Sequence, residues 1–363
     1  MAKEFVVTPY EVEGKVDYEK LVEDFGVSLI DENIRKHFKN MPLLMRRGYI
    51  YAHRDFDKIL REKKFAIVSG RGVSEKMHLG HLVLMKFVKE LQDIFGCFVF
   101  IPFSDDEKFL YKENLDFDSV EKFVDENLLD VIAIGFDPEK TKIVVDMKNM
   151  NQDVYNLAMK CAKKLTHSTV KSAFGFTDEH NIGITFYPAM QAAHILYPSE
   201  KMKLPVLVPV AIDQDVFIRL ARDIAEKSGL PKPAALLCKF LPGLKEGGKM
   251  SASDPTSAIY TTDTPVEIKE KIMKHAFSGG KISVEDHRKL GGNPDIDIAY
   301  QYLTFFEEDD KKLKKIYDDY KSGKMLTGEL KQILIDKLNT FLKEHQRKRE
   351  QAKKVLDKFM LRD

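Results

Sequence analysis

The chain has 363 residues, 44% of them hydrophobic, which is long enough for about two domains with a substantial core. Its 58 Lys and Arg residues balance 57 Asp and Glu residues, and a net charge of +1 argues against a protein held on DNA or on a membrane by overall charge. The three cysteines are too scattered for a disulfide framework or a CxxC zinc site, so we expect a reducing cytoplasm. No apolar run reaches the ~20 residues that span a bilayer, and the polar N-terminus is unlike a signal peptide, so we expect neither a membrane protein nor a secreted one.

Residues 1–60 are rich in charge, and we interpret them as an N-terminal appendage that covers another part of the molecule. From Phe65, the run FAIVS, a glycine loop and the periodic segment HLVLMKFVKELQDIF predict a strand, a loop and a helix. Further strands are predicted at CFVFIPF, in a unit that holds DVIAIGF and KIVVD, and at LPVLVPVAI, which the helical pattern VFIRLARDIAEK follows. Because strands alternate with helices, residues 61–253 are predicted to form an α/β catalytic domain with a doubly wound, parallel sheet of Rossmann type.

Beyond about Asp254 the apolar runs typical of buried strands stop. Lys, Glu and Asp now recur at helical spacing in TPVEIKEKIMKHAF and GELKQILIDKLNTFLKEHQRKREQAKKVLDKFM. We therefore predict a separate helical domain at 254–352. The remaining residues, 353–363, are predicted to form a C-terminal helix that either belongs to this domain or packs back on the sheet.

A first motif, His78-Leu79-Gly80-His81, lies where the first strand and its loop enter a helix. Gly80 lets a flat ring or a phosphate approach the backbone closely, and a helix N-terminus favours negative charge. Two imidazoles three residues apart can donate hydrogen bonds to phosphate oxygens as charge moves during nucleotidyl transfer. Taken alone, the motif is equally compatible with histidines that only cap the helix or pack against it.

A second motif, GGKMSAS at 247–253, follows the fourth predicted strand. Its glycines allow the loop to move, Lys249 offers a positive charge, and Ser251 and Ser253 offer hydroxyl donors. Such a loop can close over a triphosphate and stabilise departing pyrophosphate. A P-loop is excluded, because Met250 stands where that motif needs Ser or Thr and no strand-to-helix context surrounds it.

The two motifs together, in a doubly wound sheet, resemble the class I aminoacyl-tRNA synthetases. The resemblance narrows to the archaeal and eukaryotic tryptophanyl-tRNA synthetases, because a series of segments follows in the same order from about residue 5 to the C-terminus. These segments are SGRG, SDDEKFLYKENL, FGFTDEHNIG, YPAMQAA, VPVAIDQD, KPAALL, KMSASDP, HAFSGG, YLTFFEEDD, LTGELK and EHQRKR.

This resemblance implies that the carboxylate of an amino acid attacks the α-phosphate of ATP, with Mg²⁺ present, and that the acyl group then passes to tRNA. Because the attacking carboxylate is already an anion, positioning and charge stabilisation suffice and no strong general base is needed. The resemblance also implies a homodimer formed through the catalytic domain and anticodon binding by the helical domain. We expect no DNA or membrane partner.

The resemblance assigns roles to residues at the matching positions. The catalytic residues implied are His78, His81, Lys249 and Ser251. The implied ATP-binding residues are Gly70, Arg71, Gly80, Lys108, Asp213 and Met250. Glu107 is implied to receive the substrate ammonium group, with Gln191 and Gln214 as neutral hydrogen-bonding partners. We expect no residues that bind a resident metal.

The amino-acid pocket departs from the family pattern at three positions. Val68 stands where the family has Tyr, Pro102 where it has Gln, and His194 where it has Pro. Tyr and Gln normally face the indole N–H, and a buried N–H left unsatisfied costs about 1–3 kcal/mol. One hypothesis is that His194 accepts the indole N–H and the substrate is tryptophan. The alternatives are another aromatic amino acid, tyrosine first, or a synthetase-like protein that binds nucleotide or RNA without charging.

Overall fold

The computed structural model describes residues 6–7, 12–13, 17–247, 250–251 and 254–362. Lys249 and Ser253 of the second motif lie outside the described residues. The strands are β1 (Val6–Val7), β2 (Val12–Glu13), β3 (Ser28–Leu29), β4 (Ile50–Arg54), β5 (Ala66–Val68), β6 (Arg71–Gly72), β7 (Phe98–Ser104), β8 (Thr141–Val145), β9 (Val206–Ala211) and β10 (Ala234–Cys238).

Helices surround the sheet and make up the C-terminal part of the chain. They are α1 (Tyr18–Phe25), α2 (Glu32–Arg35), α3 (Leu43–Arg46), α4 (Phe56–Ile59), α5 (Leu79–Phe95), α6 (Asp105–Tyr111), α7 (Phe117–Ala133), α8 (Gln152–Ala162), α9 (His167–Phe174), α10 (Ile182–Met202), α11 (Asp215–Ser228), α12 (Pro265–His275), α13 (Val284–Leu290), α14 (Ile298–Phe306), α15 (Asp310–Lys321), α16 (Thr327–Ala352) and α17 (Leu356–Phe359). A 3₁₀ turn at Ile212–Gln214 follows β9. Among the described residues, none of these helices combines the length and apolar character needed to cross a membrane.

Parallel strands form the centre of the main sheet, in the order β8-β7-β5-β9-β10. The chain therefore builds outward from β5 on one side and then continues from β9 on the other, which is the doubly wound order. In such sheets ligands bind beyond the carboxyl ends of the strands where the order reverses, here between β5 and β9. The predicted α/β fold with a parallel, Rossmann-type sheet is confirmed.

The N-terminal segment extends this sheet. Strand β4 pairs antiparallel with β10, and β3 pairs with β4, although both lie within the predicted appendage at 1–60. Arg54 at the end of β4 holds the segment in place, since its Nη2 lies 3.1 Å from Oδ2 of the buried Asp215. The segment thus covers the edge that β10 would otherwise expose. The domain boundary at residue 60 remains a prediction.

Successive residues of the central strands enter two different apolar clusters, as the pleat of a strand requires. Ile67 and Leu207 belong to the cluster that includes α5, α7 and the C-terminal helices. Val68 and Val208 belong to the cluster formed with α8, α10 and α11 on the other face. The sheet is therefore buried on both faces, and its open side is the edge where the strands end.

The unit that holds DVIAIGF and KIVVD contains one strand, and several strands were not predicted, among them β3, β4 and β10. DVIAIGF begins inside α7, which continues to Ala133, so only KIVVD of that unit is a strand. Strand β10 overlaps the segment KPAALL, for which no strand is predicted. Short apolar runs of this kind do not distinguish a buried strand from a buried helix. In α7 the buried positions recur at helical spacing, namely Val120, Val124, Leu128 and Val131.

The end of the chain returns to the sheet. Helix α16 packs against α7 by way of His345, whose Nε2 lies 2.9 Å from Oδ1 of Asp130. After α17, the backbone N–H of Leu361 donates to the carbonyl of Ile143 in β8 at 2.8 Å. The last described residues therefore lie against the sheet edge, while the boundaries predicted at 254 and 353 remain predictions.

We expect Asp297→Ala to lower the free energy of unfolding by about 3–4 kcal/mol, because the change removes a helix cap and leaves buried donors without an acceptor. The buried carboxylate of Asp297 accepts from the N–H groups of Ala299 and Gly279, both at 2.9 Å, and from the hydroxyl of Tyr320 at 2.7 Å. Urea denaturation followed by circular dichroism measures the change. The matched control is Asp309→Ala, an exposed N-cap on α15, with an expected loss of about 1 kcal/mol. Equal losses in the two variants would contradict the structural role of Asp297.

Candidate active site

A cavity of about 500 Å³ opens at the carboxyl ends of the central strands, where their order reverses. Most of the predicted site residues line it. These are Gly70, Arg71, His78, His81, Glu107, Lys108, Gln191, Asp213, Gln214, Met250 and Ser251. Residues that the sequence analysis did not select also line it, among them Ser104 and Tyr187.

The first motif forms the N-terminal cap of α5. His78 is the N-cap residue, and its Nδ1 accepts a hydrogen bond from the N–H of Gly80 at 3.1 Å. The rings of His78 and His81 stack with their centroids 3.7 Å apart. A Cβ on Gly80 would lie 2.9 Å from Cε1 of His78, so glycine is what allows the ring to fold over the helix start. Gly80 thus acts through its backbone, beneath the histidines.

Both histidines are neutral at physiological pH. Burial, reinforced by the charge of Arg71, lowers the pKa of His78 to about 3 and lowers the pKa of His81 well below its ordinary value. Because Nδ1 of His78 accepts from the backbone, its proton is on Nε2. Nδ1 of His81 is buried and has no hydrogen-bond partner among the described residues. The pair can therefore donate N–H hydrogen bonds to phosphate oxygens, but it does so as neutral imidazoles rather than as cations.

The chain that follows the second motif pairs with the first motif. His78 and Tyr260 form an antiparallel bridge, and the N–H of Leu79 donates to the carbonyl of Ile259 at 3.0 Å. At the motif itself, the N–H of Gly80 lies 3.3 Å from Sδ of Met250. The two motifs, far apart in sequence, therefore meet at one side of the cavity. Lys249 is outside the described residues.

The Arg71 side chain lines the cavity and is held in place by two hydrogen bonds. Its Nε donates to Oδ1 of Asn127 at 3.2 Å, and its guanidinium also donates to the carbonyl of Gly72. Burial lowers the pKa of Arg71 to about 10, against the opposing charges of Asp130 and Glu107, so the side chain keeps its charge at neutral pH. Asp130 is itself bound by His345 and Arg349 of α16. Helix α16, in the C-terminal helical region, thus lies behind the positively charged side chain of Arg71.

The acidic and amide groups of the cavity come from α6, from the turn after β9 and from α10. Glu107, in the first turn of α6, is buried, and its Oε1 lies 3.1 Å from Nζ of Lys108. Asp213 and Gln214 occupy the 3₁₀ turn after β9. Gln191 projects from α10 into the cavity, with the hydroxyl oxygen of Tyr187 2.9 Å from its Oε1. Acceptors for a cationic group and donors for an anionic one thus share the cavity.

The three residues that depart from the family pattern do not line the cavity. Val68 is buried in the apolar cluster on the α8–α11 side, because its position in β5 points to that face. Pro102 lies against Gly70, where a Cβ would be 3.2 Å from Cγ of the proline. His194 is fully buried behind Gln191, on the same face of α10, and its Nε2 lies 2.9 Å from Oδ1 of Asp146. His194 therefore does not line the cavity itself, and the contact of these three residues with the amino acid stays a prediction.

An acidic cluster lies beneath the cavity. One carboxylate oxygen each from Asp105, Asp106 and Asp146 lies within 4.8 Å of the others. Asp105 already accepts from the N–H of Met147 at 3.0 Å, and none of the three lines the cavity. We assign no metal to it. Asp146 is not among the predicted site residues, and its only signal in the sequence is its place at the carboxyl end of a predicted strand.

Similarity to known proteins agrees with this geometry. A family model described as tRNA synthetases class I (W and Y) matches residues 60–343. The curated tryptophan–tRNA ligase of Sulfolobus acidocaldarius is 48% identical over 99% of this chain and 96% of its own length, and that of Pyrobaculum calidifontis is 46% identical over 99% of each. Among solved structures, the tryptophanyl-tRNA synthetase from Giardia lamblia is 37% identical with a TM-score of 0.88, covering 95% of this chain and 96% of that one. The tryptophanyl-tRNA synthetase of Plasmodium falciparum is 39% identical with a TM-score of 0.87, covering 95% and 97%.

Proposed function

The chain belongs to the class I tRNA synthetases of the tryptophan and tyrosine group, and on that premise we propose how its cavity activates an amino acid. It is a tryptophan–tRNA ligase: it joins tryptophan to the AMP part of ATP as an aminoacyl-adenylate, with release of pyrophosphate, and then transfers the acyl group to tRNA. The observation that carries the proposal is the meeting of both motifs, Arg71 and the acceptors of α6 and α10 around one cavity. A paralogue specific for tyrosine and a protein that does not charge tRNA are not favoured, since the curated relatives are tryptophan–tRNA ligases.

Adenylation is a displacement at phosphorus. A carboxylate oxygen of tryptophan attacks the α-phosphorus of ATP, the bond from that phosphorus to the bridging oxygen breaks, and pyrophosphate leaves with its Mg²⁺. In our assignment the N–H groups of His78 and His81 bind phosphate oxygens, and Arg71 and Lys108 compensate the growing negative charge. Mg²⁺ arrives with ATP as part of the substrate.

The remaining ATP contacts come from both sides of the cavity. Asp213, just past β9, is assigned to the ribose hydroxyls, because the strand order reverses beside it. Gly70 lines the cavity, and its backbone is assigned to the nucleotide. Met250 and Ser251 bring the second motif over the nucleotide, and Lys249 of the same loop is assigned to the departing pyrophosphate.

Three side chains are assigned to the amino-acid end. The carboxylate of Glu107 binds the ammonium group, and Gln191 and Gln214 complete its hydrogen bonds. These groups come from α6, α10 and the turn after β9, so they approach the ligand from three directions. This arrangement orients the carboxylate of tryptophan toward the α-phosphate.

Exchange of ATP with labelled pyrophosphate, measured with each of the twenty amino acids in turn, tests this function. We expect exchange with tryptophan alone. Exchange with tyrosine instead would identify a respecified paralogue, and no exchange with any amino acid would favour a protein that does not charge tRNA. The chain contains no tryptophan, so binding of the ligand is also visible directly through its own fluorescence.

We assign tRNA binding to the helical region at 254–352. Its segment 281–296 presents apolar side chains to solvent, with Ile282 fully exposed and Leu290 66% exposed, next to the exposed cations Lys281 and Lys289. Exposed apolar groups beside cations suit unstacked bases and phosphates. The basic run HQRKR contributes less, since Arg347 is paired with Glu344 and the neighbouring His345 faces α7.

Lys281→Glu with Lys289→Glu is expected to raise KM for tRNA in aminoacylation by about 10-fold or more, because two phosphate-binding charges are reversed. ATP–pyrophosphate exchange in the absence of tRNA should be unchanged. The matched control reverses Lys63 and Lys64, two exposed lysines outside the helical region. A KM for tRNA that stays within twofold of the wild type would contradict the assignment of this surface.

We also propose a cytoplasmic homodimer. Exposed apolar side chains on α8 and at the start of α10, namely Tyr155, Met159 and Ile182, support a protein interface on the catalytic domain. The three cysteines are free and buried, which suits a reducing compartment. Sedimentation of the chain as a monomer at micromolar concentration would contradict the dimer.

A further inference from the structure

Behind the wall of the cavity, Asn127 of α7 contacts the side chain of Arg71. Asn127 is 0% exposed, and its Oδ1 accepts a hydrogen bond from Nε of Arg71 at 3.2 Å. Its Nδ2 donates to two backbone carbonyls, that of Glu75 at 2.9 Å and that of Phe123 at 2.7 Å. Both polar atoms of this amide are therefore satisfied inside the protein, as a buried amide requires.

The orientation of the Asn127 amide follows from its partners. Backbone carbonyls only accept hydrogen bonds, so the amide atom that faces Glu75 and Phe123 is the nitrogen. The atom that faces the Nε–H group of Arg71 must accept, so it is the oxygen. Exchanging the two atoms would break all three contacts.

These contacts leave one nitrogen of the guanidinium group for a ligand. Nε of Arg71 donates to Asn127, and Nη1 donates to the carbonyl of Gly72. Nη2 has neither a hydrogen-bond partner nor an ion-pair partner among the residues that the structure describes. Because Arg71 lines the cavity, Nη2 is available to donate to a phosphate oxygen there.

The amide of Asn127 holds the guanidinium group without cancelling its charge. A carboxylate in direct contact with Arg71 would offset the electric field that acts on the phosphates. Asp130, one turn further along α7, also attracts Arg71, but its Oδ1 binds His345 and Arg349 of α16. The direct side-chain partner of Nε is thus neutral, and the acidic residue of the same helix is compensated from its other side.

Asn127 also fixes the loop that joins Arg71 to the first motif. Glu75 lies in this loop, between β6 and His78, the N-cap of α5. The carbonyl of Glu75 is one of the two that accept from Nδ2 of Asn127. One side chain therefore sets the position of the cation and of the chain that leads to the two histidines.

We propose that Asn127 is a positioning residue, which holds Arg71 so that Nη2 is directed to the phosphates of ATP during adenylation. The inference deepens the proposed function and rests on it. Asn127 does not line the cavity, so it acts on the reaction through Arg71 and not by contact with a substrate.

A double-mutant cycle tests this role, because a residue that acts through Arg71 has nothing to act on once the guanidinium group is absent. Asn127→Leu keeps a side chain of similar size and removes the acceptor. We expect it to lower kcat of ATP–pyrophosphate exchange by about 10-fold or more, with tryptophan affinity within twofold of the wild type. In the Arg71→Met background, the same change should alter kcat by less than about twofold.

The matched control is Gln92→Leu, which removes another buried amide that does not line the cavity. Nε2 of Gln92 donates to Oγ1 of Thr141 at 2.9 Å and to the carbonyl of Lys140 at 3.5 Å, and its Oε1 accepts from the N–H of Asp137 at 3.0 Å. The control therefore loses the same kinds of buried contact as Asn127→Leu. It should leave kcat of exchange within about twofold of the wild type.

Thermal unfolding shows whether each variant is folded. If Asn127→Leu is not, Asn127→Ser takes its place in the cycle, because the shorter side chain withdraws the acceptor and leaves room for water beside the carbonyl of Glu75. An unchanged kcat in the single variant, or equal losses with and without the guanidinium group of Arg71, would overturn the proposal.

The affinity for magnesium pyrophosphate, measured by calorimetry without an amino acid, separates this proposal from the proposed function. We expect Asn127→Leu to weaken this binding by about fivefold or more, and to change it by less than about twofold in the Arg71→Met background. If the wild-type chain shows exchange with no amino acid, the proposed function fails. The binding cycle then still decides the role of Asn127, since equal weakening in both backgrounds would contradict it.

Discussion

We expect Arg71→Met to lower kcat of ATP–pyrophosphate exchange by about 100- to 1,000-fold at saturating tryptophan. The guanidinium keeps its charge in a buried position, where little water screens its electric field. It therefore stabilises the negative charge that grows on the phosphates as the bond to pyrophosphate breaks. The loss should fall on kcat more than on tryptophan affinity, because the interaction strengthens in the transition state.

The fold should survive this change. Asp130, which lies behind Arg71, still has His345 and Arg349 as partners, so no unpaired charge is left buried. The matched control is Arg222→Met, which removes another largely buried arginine, bound to Asp55 and to the carbonyl of Pro233 away from the cavity. Exchange by the control should remain within twofold of the wild type. An unchanged kcat in Arg71→Met, with only KM for ATP raised, would show that Arg71 binds the ground state and the transition state equally.

The parts of the site that the sequence predicted share a physical origin. His78, Glu107 and Asp213 each follow an apolar run, and parallel strands place their carboxyl ends on one edge of a sheet. Once the alternation of strands and helices is recognised, these residues must approach one another. The meeting of the two motifs follows in the same way, except that the pairing of His78 with Tyr260 needed the structure.

The parts that were missed depend on the direction of a side chain or on distant partners. Val68 and Ser69 are neighbours, but the pleat sends Val68 to the apolar cluster while Ser69 lines the cavity. Gln191 and His194 are three residues apart, and α10 places them on the same helix face. No local sequence pattern, however, shows that Asp146 lies behind that face of α10, because its contact with His194 joins residues 48 positions apart.

We expect Glu107→Gln to raise KM for tryptophan by about 100-fold, because the substrate ammonium group would lose the buried carboxylate that neutralises it. Binding of a non-hydrolysable ATP analogue should change little, since the charge that is lost is assigned to the amino acid. The structure offers a competing explanation, because Oε1 of Glu107 also lies 3.1 Å from Nζ of Lys108 and could serve only to position that cation. Lys108→Met separates the two: it removes the cation and leaves the carboxylate. If Glu107 binds the ammonium group, Lys108→Met weakens ATP binding and Glu107→Gln weakens tryptophan binding, both measured by equilibrium titration. If Glu107 only positions Lys108, both variants lose ATP affinity and keep tryptophan affinity, and the assignment of Glu107 is wrong.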